Sequence, residues 1–162
     1  MSGKRWLIWR RRGKSALPAM QLVLADPELP EDTRILARQL VAQLRGVEQG
    51  RLPGVADMLS ETADQMYQGS YAFGEGTANQ IFRWVKGKGL VAGTVDGQEV
   101  PVVSKPQAAQ YWGARSARKA LELKPGDPVA RRALLGLSIE NEVTRQRAAG
   151  KPFQPIGQSQ PA

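Results

Sequence analysis

The chain has 162 residues, a formal net charge of +8, and neither cysteine nor histidine. This length fits one domain with or without tails, and 41% hydrophobic residues can build a core. The missing residue types exclude disulfides, thiolate nucleophiles, the usual structural zinc sites and the side chain best suited to proton transfer near neutral pH. We therefore expect a protein that is not an enzyme, with no cofactor, no metal and no small-molecule substrate.

Charge is distributed unevenly along the chain. Residues 1–14 carry +6, residues 15–75 carry −5 and residues 76–162 carry +7. An acidic centre thus lies between two basic segments. Basic surfaces attract polyanions because Lys and Arg release the counterions condensed on phosphates. Nucleic acid and anionic membrane are both candidate partners, and the alternative is that the charge serves solubility alone.

We interpret residues 1–25 as a basic N-terminal arm. Its cations include Arg10, Arg11 and Arg12, which are candidate nucleic-acid contacts, and Trp6 and Trp9 could instead enter a membrane interface. The apolar run at residues 16–25 loosely imitates a signal peptide, but it is interrupted by a proline and a glutamine. The expected location is the cytoplasm.

Two amphipathic helices are predicted in the centre of the chain. The first covers residues 31–47, and the second begins at Pro53. The second has an acidic face, which we interpret as solvated or as a contact to the basic N-terminus, rather than as a divalent-cation site or a catalytic carboxylate pair. The first stripe contains Leu36, Leu40, Leu44 and Val47 with Ile35 and Val41, and the acidic face contains Asp57, Glu61 and Asp64.

A glycine-rich loop at residues 69–76 leads into a third predicted helix. Thr77-Ala78-Asn79-Gln80 fits a capping box, so a helix is expected over residues 77–88. Residues 90–95 and 98–103 are rich in β-branched side chains, and only Asp96-Gly97 separates them. This pattern is typical of a β-hairpin with a two-residue turn.

The order of three helices and a hairpin over residues 31–103 resembles the winged-helix version of the helix-turn-helix family. In that family the third helix enters the major groove of DNA. The resemblance implies that Asn79, Gln80 and Arg83 contact base edges, and that Thr77, Lys86 and Lys88 contact phosphates.

Two further helices are predicted, over residues 104–123 and 127–148. Ser104-Lys105-Pro106-Gln107 is a second capping box and Asp127 is the expected N-cap of the last helix. Residues 114–136 resemble the junction between tetratricopeptide repeats, although the chain has no second copy. The last helix is expected to point Leu134, Leu135, Ile139 and Val143 inward.

The predicted fold class is mainly α with one β-hairpin: a winged-helix-like core followed by a C-terminal helical hairpin. The expected divisions are the arm (1–25), the winged-helix-like domain (26–103), the hairpin (104–149) and a disordered tail (150–162). The expected function is non-catalytic binding of double-stranded DNA, with a homodimer formed through residues 106–148. The alternatives are a helical adaptor that binds a protein partner and a peripheral membrane protein.

Overall fold

A computed structural model of the chain describes residues 13–73, 82–85, 89–92, 94–95, 98–99 and 104–150. After a short 3-10 turn at Gly13–Ala16, these residues form helices and short strands, with a second 3-10 turn at Gln49–Arg51. The helices are α1 (Leu17–Ala25), α2 (Glu31–Arg45), α3 (Val55–Tyr67), α4 (Lys105–Leu123) and α5 (Pro128–Ala148). The strands are β1 (Phe82–Val85), β2 (Gly89–Ala92), β3 (Thr94–Val95) and β4 (Gln98–Glu99).

Helix α1 is the most deeply buried element among the described residues. It carries apolar side chains almost all round, and such a helix must be covered on every side. It contacts α2, α3 and α4. Met20 and Leu24 belong to a core cluster with Val41 of α2 and Met58 of α3. Residues 17–25, which the sequence analysis placed in a basic arm, are therefore part of the core.

Helix α2 begins at Glu31 as predicted but ends at Arg45, two residues before the predicted end. Glu31 and Asp32 lie in the first turn, where acidic side chains interact favourably with the helix dipole. At the other end, Gly46 adopts φ 68°, and the Gly46 and Val47 amides donate to the carbonyls of Gln43 and Ala42. This is the two-bond arrangement of a glycine-terminated helix. The buried face of α2 differs from the predicted stripe. Ile35 and Leu36 are exposed, whereas Ala37, Val41 and Ala42 are buried.

Helices α3, α4 and α5 pack against one another along a seam of small side chains. Ala63, Ala117 and Ala133, one from each helix, are fully buried in one cluster. The helices approach most closely at two glycines. A Cβ atom on Gly113 would lie 2.6 Å from Leu137 Cδ1, and one on Gly136 would overlap the Tyr67 ring.

Both predicted N-caps of the C-terminal hairpin are confirmed. The Ser104 hydroxyl accepts from the Gln107 amide while the Gln107 side chain accepts from the Ser104 amide, which completes a capping box. Asp127 accepts from the amides of Val129 at 2.9 Å and Ala130 at 3.2 Å. Helices α4 and α5 thus form the predicted helical hairpin.

The predicted fold class is wrong. The helix expected over residues 77–88 would have been the recognition helix, but Phe82–Val85 is a β-strand that pairs antiparallel with Gly89–Ala92. The strands predicted at 90–95 and 98–103 are not formed as such, because residues 90–92 pair with β1 and only the two-residue strands β3 and β4 pair with each other. The fold is a helical bundle, and a winged-helix core does not fit it.

The inward face predicted for α5 is also partly wrong. Leu135 is 59% exposed and Ile139 is 47% exposed, whereas Ala130, Ala133 and Leu137 are buried. Small side chains let α5 approach α3 and α4, so they occupy the core face. None of the helices in the described ranges is long and apolar enough to cross a membrane.

Candidate functional site

Most of the predicted nucleic-acid contacts lie outside the described residues. These are Arg10, Arg11, Arg12, Thr77, Asn79, Gln80, Lys86 and Lys88. Arg83 lies in β1 opposite Val91. A helical ridge through Arg83 is therefore excluded, because successive side chains of a strand point to opposite faces.

The charges of the described helices separate into two groups. Residues 15–73, which include α1, α2 and α3, contain four basic and eight acidic residues. Residues 104–150, which include α4 and α5, contain nine basic and four acidic residues. The net charges are −4 and +5, so the basic excess of the described helices, which attracts polyanions, is carried by the segment of α4 and α5.

The acidic face of α3 is neutralised within the chain. Lys124 Nζ lies 3.2 Å from Asp57 Oδ1, and Arg132 Nη2 lies 2.8 Å from Asp64 Oδ1. Arg45 of α2 forms an ion pair with Glu61. No cluster of potential metal-ligating side chains occurs in the part of the chain that the structure describes. The acidic face therefore joins α3 to its neighbours, and its basic partners lie in α2, α5 and the turn before α5.

The outward face of α4 contains two arginines without an acidic partner among the described residues. Arg115 and Arg118 are both exposed. Arg115 lies over the Tyr111 ring, with its Cζ atom 3.5 Å from the ring centroid, and Nη1 donates to the Tyr111 carbonyl at 3.4 Å. The Tyr111 ring also meets Trp112 edge-on, with centroids 4.9 Å apart. Arg115 is thus held in one orientation by a cation–π contact and a hydrogen bond.

The electrostatics of this pair favour an anion. Although Arg115 is exposed as a residue, its guanidinium is partly desolvated by neighbouring atoms, which lowers its pKa. Tyr111 opposes this effect, and the nearby charge of Arg118 lowers the pKa further. Arginine stays protonated in proteins all the same. Two adjacent guanidinium groups repel each other, and an anion placed between them would relieve that repulsion. We call Tyr111, Arg115 and Arg118 the α4 cationic face.

Arg115 and Arg118 lie in the helix predicted over residues 104–123 but are not among the site residues predicted from the sequence. The signal that could have found them is the spacing of Tyr111 and Arg115. Side chains four positions apart lie next to each other on a helix. The sequence could not show that Asp57, Glu61 and Asp64 pair with other cations, because those contacts join distant segments.

A cleft of about 350 Å³ lies between the end of α3 and the facing sides of α4 and α5. Its walls include Tyr71 and Phe73, whose rings meet edge-on with centroids 4.8 Å apart. Burial raises the pKa of Tyr71 well above its ordinary value, and the charge of Arg45 only partly opposes this. Lys105 and Glu140 are the ionisable side chains that line the cleft besides Tyr67 and Tyr71. The lining offers an apolar surface rather than a group of converging catalytic side chains.

Comparison of the chain with protein-family models, with curated proteins and with solved structures found no match. The geometry of the described residues is therefore the basis for a functional conclusion.

Proposed function

We propose that this protein binds double-stranded DNA without catalysing a reaction, and that the α4 cationic face contacts the phosphate backbone. The observation that carries the proposal is the pair Arg115 and Arg118, exposed and without acidic partners in the described helices. Phosphate oxygens accept hydrogen bonds from guanidinium groups in the planar geometry that arginine offers.

The charge separation supports the same partner. A duplex carries one negative charge about every 1.7 Å along its axis, so it attracts a basic surface over a long range. Residues 15–73, which include α1, α2 and α3, have net charge −4 and contribute no such attraction. Phosphate contacts position a protein on DNA but carry no sequence information by themselves. The binding we propose for α4 is therefore independent of sequence.

The proposal is tested with the double variant Arg115→Ala and Arg118→Ala. Binding to a random-sequence duplex is measured by fluorescence anisotropy over a range of salt concentrations. Loss of two phosphate contacts should reduce the slope of log K against log salt by about 1.8, with weaker binding at every salt concentration.

A matched control distinguishes the effect of the α4 cationic face on binding from the effect of the overall charge. Arg38→Ala with Arg51→Ala removes the same two charges from exposed positions in the acidic part of the chain. This control should bind DNA much more tightly than the α4 variant. Equal loss in both variants, or no loss in either, would overturn the assignment to α4.

The other predicted contacts are tested in the same assay. Arg83→Ala with Lys86→Ala should weaken binding if the segment that includes β1 also contacts phosphate. Single-stranded RNA and anionic liposomes serve as competitors of other classes. If either binds more tightly than the duplex at equal salt, double-stranded DNA is the wrong partner.

A further inference from the structure

The outward face of α5 has an apolar centre that the described chain does not cover. Leu135 and Ile139 are 59% and 47% exposed, and they lie on the side of α5 opposite to Leu137. This face is separate from the α4 cationic face. An exposed pair of large aliphatic side chains on one helix is a usual position for a helix partner.

The spacing of this face matches a second helix. Arg132, Leu135, Ile139 and Glu142 follow one another at intervals of three, four and three residues. At about 100° per residue they fall within an arc of about 80°. Intervals of three and four that alternate are those of a coiled-coil seam, in which side chains of two helices interdigitate.

The same four positions also match those of a second α5 that runs in the opposite direction. Around the level of Leu137, positions 135 and 139 exchange with each other, and so do positions 132 and 142. We propose that α5 pairs antiparallel with α5 of a second copy across a twofold axis, so that Leu135 packs on the partner's Ile139 and Arg132 faces the partner's Glu142. Both contacts then occur twice, as twofold symmetry requires.

The charged ends of the seam keep their contacts within the chain. Arg132 Nη2 donates to Asp64 at 2.8 Å. Glu142 accepts from Arg145 Nη2 at 2.8 Å, from Arg145 Nε at 3.0 Å and from Gln146 Nε2 at 2.9 Å. A guanidinium group has five N–H donors and a carboxylate has about four acceptor positions, so each can serve one more partner. The same arrangement brings Arg131 towards the partner's Arg145. This repulsion limits the affinity, and we expect a dimer that dissociates in the micromolar range.

The first experiment measures oligomeric state by sedimentation equilibrium of the full chain. Protein concentrations from about 1 µM to about 1 mM bracket the expected association. Leu135→Glu and Ile139→Lys should each raise the dimer dissociation constant by at least about tenfold, because each puts a charge into the apolar centre. Ile35→Glu is the matched control, since Ile35 is 48% exposed on α2, and it should leave the dimer unchanged.

The second experiment tests the antiparallel register by mixing the two monomeric variants. The glutamate introduced at position 135 of one chain would then face the lysine introduced at position 139 of the other. At the second contact, the unchanged Leu135 and Ile139 would face each other. The mixture should therefore form a heterodimer that neither variant forms alone. A parallel arrangement would place position 135 on position 135, so in the mixture the glutamate and the lysine would each face an unchanged aliphatic side chain. Such a heterodimer would still bury two unpaired charges and would stay much weaker than wild type.

Each outcome decides the proposal. A wild-type chain that stays monomeric up to about 1 mM overturns it and leaves this face for a different partner. Dimers that persist in both α5 variants place the interface elsewhere. If both variants are monomeric and their mixture forms no heterodimer, the antiparallel pairing is wrong. Circular dichroism of each variant confirms folding, which we expect because the substituted side chains are exposed.

Discussion

Gly136 lies in α5 where the Tyr67 ring of α3 crosses the helix. Three ring carbons would lie within 2.6 Å of a Cβ atom at this position. A glycine inside a helix costs about 1 kcal/mol relative to alanine. The close approach of the ring is the physical reason for glycine here, and the seam between α3 and α5 depends on it.

Gly136→Ala should therefore destabilise the protein even though alanine is the better helix former. Overpacking costs about 1–3 kcal/mol, which exceeds the gain in helix propensity. In a Tyr67→Ala background the ring is gone, and the same substitution should stabilise by up to about 1 kcal/mol. Urea unfolding of wild type, the two single variants and the double variant measures both effects. Gly126→Ala, where no atom lies within 4 Å, is the control and should be neutral or slightly stabilising.

The carboxylate of Asp127, which caps α5, makes the stability of the protein depend on pH. Burial alone would raise the pKa of Asp127, but hydrogen bonds from the Ala130 amide, the Ser60 hydroxyl and the Val129 amide lower it below its ordinary value, helped by Lys124. Because the pKa of Asp127 is lower in the folded chain than in the unfolded chain, its carboxylate stabilises the fold at pH values above the unfolded pKa of about 3.9. This contribution is lost as the pH falls through the folded pKa.

The variant Asp127→Asn should keep the cap but lose this dependence on pH. At pH 7 it should be about 1 kcal/mol less stable than wild type, because hydrogen bonds to a charged acceptor are stronger. The difference should shrink as pH falls below about 4 and the wild-type carboxylate becomes protonated. Urea unfolding at several pH values provides the comparison. A difference that stays constant down to about pH 2 would contradict the role of the charge.

At the scale of elements, α1 and α3 share a polar contact inside an apolar interface. The Thr62 hydroxyl donates to Gln21 Oε1 at 2.9 Å, and both side chains are buried. Gln21 Nε2 has no hydrogen-bond partner among the described residues. An unpaired buried donor costs free energy, so this contact orients α1 on α3 at some expense of stability.

Thr62→Val alone should cost about 1–3 kcal/mol, because Gln21 then loses its remaining partner. Combining Thr62→Val with Gln21→Met removes both polar groups at similar volume. We expect the double variant to be as stable as wild type or more stable. Thermal or urea unfolding of the two single variants and the double variant shows the coupling. A double variant less stable than wild type would mean that the pair contributes net stability.

At the scale of the whole molecule, buried contacts join segments that were predicted to be separate divisions of the chain. Helix α3 packs on α1, α4 and α5. The ion pairs of its acidic face reach α2, α5 and the turn before α5. Exposed pairs of this kind contribute about 0–1 kcal/mol each, so the buried side chains supply most of the cohesion. We expect the described helices to unfold together.

Met20→Asp should test this cooperation. An aspartate at a position 2% exposed in α1 should cost several kcal/mol and should lower the hydrogen-exchange protection of Ala117 in α4 and Ala133 in α5. Gln39→Asp, at an exposed position of α2, is the control. Protection that falls in α1 and α2 but stays in α4 and α5 would show that the hairpin is an independent unit.

The sequence by itself determined the local features of this protein. The capping box at Ser104, the cap at Asp127 and the hairpin of α4 and α5 follow from interactions within a few residues. Only the tertiary structure decided which faces are buried. Leu135 and Ile139 were predicted inward because they are large and apolar, whereas alanines and glycines form the seam because they permit close approach. Phe82–Val85 lies in a segment predicted as helix from its capping box, but these four residues form a strand that pairs with residues 89–92. The candidate site was likewise predictable only in its local part. The spacing of Tyr111 and Arg115 is local and readable, but the absence of an acidic partner in the described helices depends on where distant acids lie in the fold.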